Sequence, residues 1–81
     1  MSNVNENVEK IRIAKGVSKT HMAKRLGYKT IQGYKHLASG STKYTAERIM
    51  IAADTLQVNV QVFYDNKLTE TVITEYSRTT A

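Results

Sequence analysis

Side chains suited to covalent or metal chemistry are sparse in this chain. His21 and His36 are its only histidines and it has no cysteine; two imidazoles without thiolate partners and without i, i+4 spacing do not make a zinc site. No nucleophile stands at a recognisable spacing from a base, no glycine loop is arranged to cradle phosphate, and no carboxylates are paired within an apolar run. Neither an enzyme nor a metal or cofactor is implied. What the chain has is positive charge, unevenly placed. From Lys10 to Arg48 there are ten Lys and Arg and a single acid, Glu47, a balance of +9, whereas two bases and six acids elsewhere give −4. A field of one sign over one region attracts polyanions, and its plain alternative is a solvated charged face.

The elements that must position these charges are marked by caps and glycines. A first helix is expected over Val4 to Lys15, with Asn3 as cap, Glu6 three residues on, and Val4, Val8 and Ile11 recurring at helical spacing until Gly16 stops it. Ser18 opens a second, Lys19 to Leu26, whose inward positions are Met22, Ala23 and Leu26. Thr30 opens a third, with Ile31, Tyr34 and Leu37 on one side and Gly40 at its end. So short a connection between the second and third helices forces them to cross steeply. Thr45 opens a fourth, Ala46 to Leu56, burying Ile49, Ala52 or Ala53, and Leu56. Beyond it, Val58, Val60, Val62 and Tyr64 alternate as in a strand, while a helical turn from Asn59 would also bury Val60 and Phe63. Thr69 to Tyr76 is rich in β-branched residues and is expected to be a strand, followed by a frayed tail, Ser77 to Ala81.

The run from Ser18 to Leu37 resembles the helix-turn-helix of the Cro-type family of phage repressors and related bacterial regulators. Ala23 stands where that family has the alanine of its second helix, Gly27 where it has the turn glycine, and Tyr34 and Leu37 where its recognition helix turns inward. Ile11-Arg12, Lys15-Gly16-Val17-Ser18, Gly40 and Ile51 to Val58 agree with the longer pattern, so the resemblance covers about residues 4 to 64. Three departures are visible: Lys19 replaces a common glutamine, the turn is one residue longer than its commonest form, and Gly33 lies inside the third helix, where glycine costs about 1 kcal/mol relative to alanine. The resemblance implies a third helix in the major groove and a second crossing the backbone. It places Thr30, Ile31, Gln32, Lys35 and His36 near bases, where Gln32 suits adenine, Lys35 or His36 suits guanine, and Ile31 suits a thymine methyl; Ile31 fits the core equally well. Ser18, Lys19, Lys29, Thr42, Lys43 and Tyr44 are implied phosphate contacts, which set register without reading sequence. Tyr28 and Tyr44 also suit the edge of the core better than a base-stacking platform.

Size bounds the rest. At 81 residues and 41% hydrophobic content, one small domain buries only about 60% of its unfolded surface, too little for a large cleft. The polar start Met1 to Asn7 and the lack of an apolar run near the roughly 18 residues of a membrane span, with no cysteine to oxidise, lead to the expectation of a soluble, cytoplasmic chain. The expected architecture is all-α: four to five short helices containing a helix-turn-helix over residues 1–66, and a C-terminal extension over 67–81 with a β-strand. Because a lone strand needs a partner, Val72, Ile73 and Tyr76 are expected to pair two copies antiparallel about a two-fold axis. The function expected is sequence-specific binding of double-stranded DNA by a homodimeric repressor on a near-palindromic operator. An antitoxin or antirepressor, keeping the scaffold but binding a protein partner, is the alternative; no small-molecule ligand is implied.

Overall fold

Local capping sets the helix boundaries. The computed structural model describes residues 3–80, with side chains through residue 78; Met1, Ser2 and Ala81, at the ends of the expected polar start and tail, lie outside the described residues. Asn3 accepts the Glu6 N–H and opens α1, Val4–Lys15, which Gly16 closes in the left-handed conformation at φ 71°. Ser18 accepts the His21 N–H to open α2, Lys19–Arg25, and Thr45 accepts the Arg48 N–H to open α4, Ala46–Leu56. Between them α3, Ile31–Ser39, starts after an extended Thr30 whose side chain makes no capping bond and ends at Gly40, φ 85°. Helical boundaries read from sequence hold here within a residue.

One apolar interior follows from these four helices. Val8 and Ile11 of α1, Met22, Ala23 and Leu26 of α2 and its exit, Tyr34 and Leu37 of α3, and Ile49, Ala52, Ala53 and Leu56 of α4 are buried together with Val62 and Phe63. Each large member contributes about 1.5–3 kcal/mol by leaving water. Asn59 accepts the Gln61 N–H and starts a 3₁₀ helix, Val60–Tyr64, which sinks Val62 and Phe63; of the two conformations open to this segment, the helical turn is the one formed.

The C-terminal strand is absent, and its place is taken by α5, Asn66–Thr80. The Asp65 carboxylate accepts the Lys67 and Leu68 N–H groups at 2.8 and 3.0 Å, a helix N-cap ahead of the segment expected as a strand. From that start Thr69, Val72, Ile73 and Tyr76 fall at i, i+3, i+4 and i+7, a helical stripe, and α5 lies on α1 and the 3₁₀ helix. Thr69 is fully buried, its hydroxyl donating to the Val62 carbonyl at 2.7 Å. Val72 and Ile73 pack on the core, and Lys15 lies 5.4 Å above the Tyr76 ring. Burial of this stripe outweighs the β-propensity of its threonines and valine, so Val72, Ile73 and Tyr76 serve the chain's own fold and are not a pairing strand. Ser77 to Thr80 continue the helix where a frayed tail was expected. No helix among the described residues is long and apolar enough to cross a membrane.

Candidate nucleic-acid interface

What fixes α3 is a polar network that runs from α1. Glu9 accepts two hydrogen bonds from Arg12, from Nε at 2.7 Å and Nη2 at 2.8 Å, and a third from the Tyr34 hydroxyl at 2.6 Å. A further Arg12 nitrogen donates to the Val17 carbonyl at 2.7 Å. The guanidinium of Arg12 holds the Glu9 carboxyl below its ordinary range, against the opposing effect of burial; burial and the bond to Glu9 push the Tyr34 phenol far above its own. Tyr34 is thereby both an apolar core residue and a tether with a charge-assisted bond, shorter and stronger than a neutral one. At the other end of α3, the Asn5 amide donates to the carbonyls of Leu37 and Thr42, both at 2.8 Å. Two neighbouring turns of α1 thus hold the helix and the loop after it.

The connection between α2 and α3 explains Gly33. The Tyr28 ring lies against the α3 backbone there, and a Cβ at Gly33 would overlap it. On α4, the Arg48 guanidinium sits 4.4 Å from the centroid of the same ring. The glycine makes room for an internal contact.

Tyr34 and Leu37 are buried, so the opposite side of α3 faces solvent: Gln32, Lys35, His36 and Ser39 are exposed, spaced i, i+3, i+4 and i+7. Ile31 is 37% exposed and stands outside the core, beside this face. Thr30 and Lys29 are exposed just ahead of it, and Ser18, Thr42 and Lys43 are exposed on the adjoining turns. Lys19 is half-buried and within electrostatic reach of Glu9. Tyr44 departs from its expected role. Its hydroxyl is buried and has no hydrogen-bond partner among the described residues, and desolvation raises its pKa strongly, so it is not offered to a ligand at the surface. Ser39 was missed in the sequence although its spacing from Gln32, Lys35 and His36 places it on the same face; its hydroxyl now bonds the His36 carbonyl at 3.1 Å and lies 3.0 Å from that of Ser41.

Eight of the ten bases between Lys10 and Arg48 divide into two sets. Lys10 pairs with Glu6 and Glu70, Arg12 with Glu9, and Arg25 with Asp54. Lys15 donates to the Leu56 carbonyl at 2.7 Å. These cations brace the fold. Lys24, Lys29, Lys35 and Lys43 are exposed and make no hydrogen bond or ion pair among the described residues. Residues 18–45 contain six Lys and Arg and no Asp or Glu, so nothing within α2, α3 or their loops neutralises this surface. Among the described residues no three His, Cys, Asp or Glu side chains gather as metal ligands. An open groove of about 370 Å³ lies elsewhere, lined in part by Val58, Val62, Val72 and Tyr76. No family model matches the chain, and no curated protein or solved structure does so.

Proposed function

We propose that this chain is a sequence-specific double-stranded DNA-binding regulator of the helix-turn-helix kind, acting as a repressor. The observation that carries the proposal is the outward face of α3: Gln32, Lys35, His36 and Ser39 exposed on a helix whose other side is tethered through Tyr34 and Leu37, with exposed lysines on it and its adjoining loops and no acid in residues 18–45. In this function α3 enters the major groove and α2 crosses the backbone. Gln32 pairs bidentately with adenine, Lys35 or His36 donates to guanine, and Ile31 covers a thymine methyl. Thr30, at the start of that helix, also lies near bases, and Lys29, Lys43, Lys19, Ser18 and Thr42 flank it and contact phosphate. A two-fold pair of chains would set two such helices about 34 Å apart, one turn of DNA. With α5 folded onto α1, pairing falls to helical surface, where Tyr64 and Leu68 are exposed large apolar side chains.

Mobility shifts with a randomised duplex pool, followed by salt titration on the selected site, test this. Neutralising Z phosphates gives log K a slope of about −0.9Z on log[salt], so a slope of several units is expected. Gln32→Ala should cost roughly 1–3 kcal/mol on the selected site and relax one base pair, while Lys29→Ala should weaken all sequences alike. A flat salt response, or equal loss on selected and random DNA in both variants, refutes the proposal.

A further inference from the structure

We infer that Arg48 is a phosphate-binding residue, with its guanidinium held ready by the Tyr28 ring on one flank of α3; this rests on the DNA-binding function proposed above. The basic stretch holds three arginines, and two are consumed by the fold. Arg12 is bound to Glu9 and to the Val17 carbonyl, and Arg25 to Asp54 and Thr55 at 2.7 and 3.2 Å. Arg48 alone of the three has neither a carboxylate nor a carbonyl partner among the described residues, and its contact is the ring 4.4 Å away. Helix stability does not account for a cation at this point: Arg48 is the third residue of α4, where the helix dipole disfavours positive charge.

The ring does to Arg48 what an ion pair does to the other two, and leaves its hydrogen-bond donors unused. A ring 4.4 Å from the guanidinium holds the cation through its π-system and takes up none of the N–H donors in a hydrogen bond to a carboxylate or carbonyl. Side-chain freedom, the main entropic cost of engaging a long cation, is thus reduced before any ligand arrives. Tyr28 is itself seated on Gly33, so the stack is referenced to α3 and not to α4 alone. On that helix Gly33 lies on the flank beside Gln32 and His36, and Lys29, exposed, follows Tyr28 directly. A strand whose bases meet Gln32 and His36 passes Lys29 and Arg48 with its phosphates. A phosphate matches the guanidinium fork in a bidentate manner that lysine cannot reproduce.

The test compares the full chain with Arg48→Gln, Arg48→Lys, Tyr28→Phe and Tyr28→Leu on a random-sequence 30-base-pair duplex across a salt series, with folding of each checked by circular dichroism. Arg48→Gln is expected to bind roughly tenfold more weakly, the loss of one charge-assisted contact, and to reduce the slope of log K on log[salt] by about 0.9 per chain. Arg48→Lys should keep the slope and recover part of the affinity. Tyr28→Phe retains the ring and should behave as the parent, whereas Tyr28→Leu should keep the slope but bind several-fold more weakly. Should Tyr28→Leu lose its fold, the Tyr28→Phe and Arg48 pairs still decide. A parent that binds steeply while Arg48→Gln shows unchanged slope and affinity overturns the role of Arg48 and leaves DNA binding intact. A parent that does not bind the duplex removes both, and is recognised because every variant is then silent.

Discussion

Replacing Gly33 by alanine sets two effects of opposite sign against each other, and the structure decides which wins. In an unobstructed helix the substitution stabilises, because glycine costs about 1 kcal/mol relative to alanine. At Gly33 the new methyl would occupy the space of the Tyr28 ring. Overpacking of this kind costs about 1–3 kcal/mol, and displacing the ring also removes the Arg48 stack, worth about 0.5–1 kcal/mol at a partly exposed site. The loss exceeds the gain, and Gly33→Ala is expected to destabilise by about 1.5 kcal/mol. For a domain of this size each kcal/mol moves the melting temperature by roughly 4–8 °C, well within the reach of thermal circular dichroism. The sign is the sharper test. In a Tyr28→Ala background the obstruction is gone, and the same Gly33→Ala change should stabilise by up to about 1 kcal/mol. Urea titrations of the four proteins in this cycle give the coupling free energy directly. Stabilisation by Gly33→Ala in both backgrounds would show that Tyr28 does not rest on α3, and would remove the seat assigned to Arg48 with it.

The other expectations concern the tethers of α3 and the C-terminal helix. Glu9→Gln should cost about 2 kcal/mol in urea unfolding, since it leaves the Arg12 guanidinium largely buried beside a neutral partner. The Glu9 carboxyl titrates below its ordinary value of 4.5 in the folded chain; its stabilisation is therefore full above that value and fades as pH falls through the depressed one. Acid unfolding of Glu9→Gln should accordingly be shallower than that of the parent over this range. Tyr44→Phe should stabilise by about 1 kcal/mol, because it deletes a buried hydroxyl without a partner, and should leave DNA affinity unchanged; a tenfold affinity loss would restore the phosphate contact expected from sequence. Truncation after Asn66 should unfold the chain, as it strips Thr69, Val72 and Ile73 from α1 and the 3₁₀ helix; a folded truncated protein, seen by its circular dichroism, contradicts the packing of α5.

Which parts of this fold were legible follows from where the deciding interactions sit. Asn3, Ser18 and Thr45 act on N–H groups three residues away, and Gly16 and Gly40 act on their own backbone, so a linear reading contains all that is needed for α1 to α4. The same linear rules contained α5 as well. Asp65 is a capping residue, and Thr69, Val72, Ile73 and Tyr76 carry the helical period; the β-branched composition of the same segment points the other way, to a strand. The period is the stronger signal because it states which residues are buried together, whereas propensity amounts to no more than about 1 kcal/mol over its whole scale.

The remainder was illegible for a different reason. Charge sums treat every arginine alike, yet Arg12 lies in the interior, Arg25 is bridged to Asp54 across 29 positions, and only Arg48 keeps its donors. Likewise Gly33, by sequence a weak point in α3, is the seat of the Tyr28 ring. Contacts of this kind depend on which surfaces the packed helices bring together, information that no local window holds. They also change what the positive charge means. A balance of +9 along the sequence overstates the field, since Lys10, Arg12, Lys15 and Arg25 are answered by acids or carbonyls within the fold. The unanswered cations, Lys24, Lys29, Lys35, Lys43 and Arg48, lie on α2, α3, their loops and the first turn of α4, and residues 18–45, which carry the four lysines, contain no acid. Four cations are used within the fold, Arg12 bracing the Glu9 tether of α3 and Lys10, Lys15 and Arg25 joining α1 to α5, α1 to α4 and α2 to α4, while exposed lysines remain on and beside α3. That division, more than the total charge, supports reading the outward face of α3 as the surface that meets a polyanion.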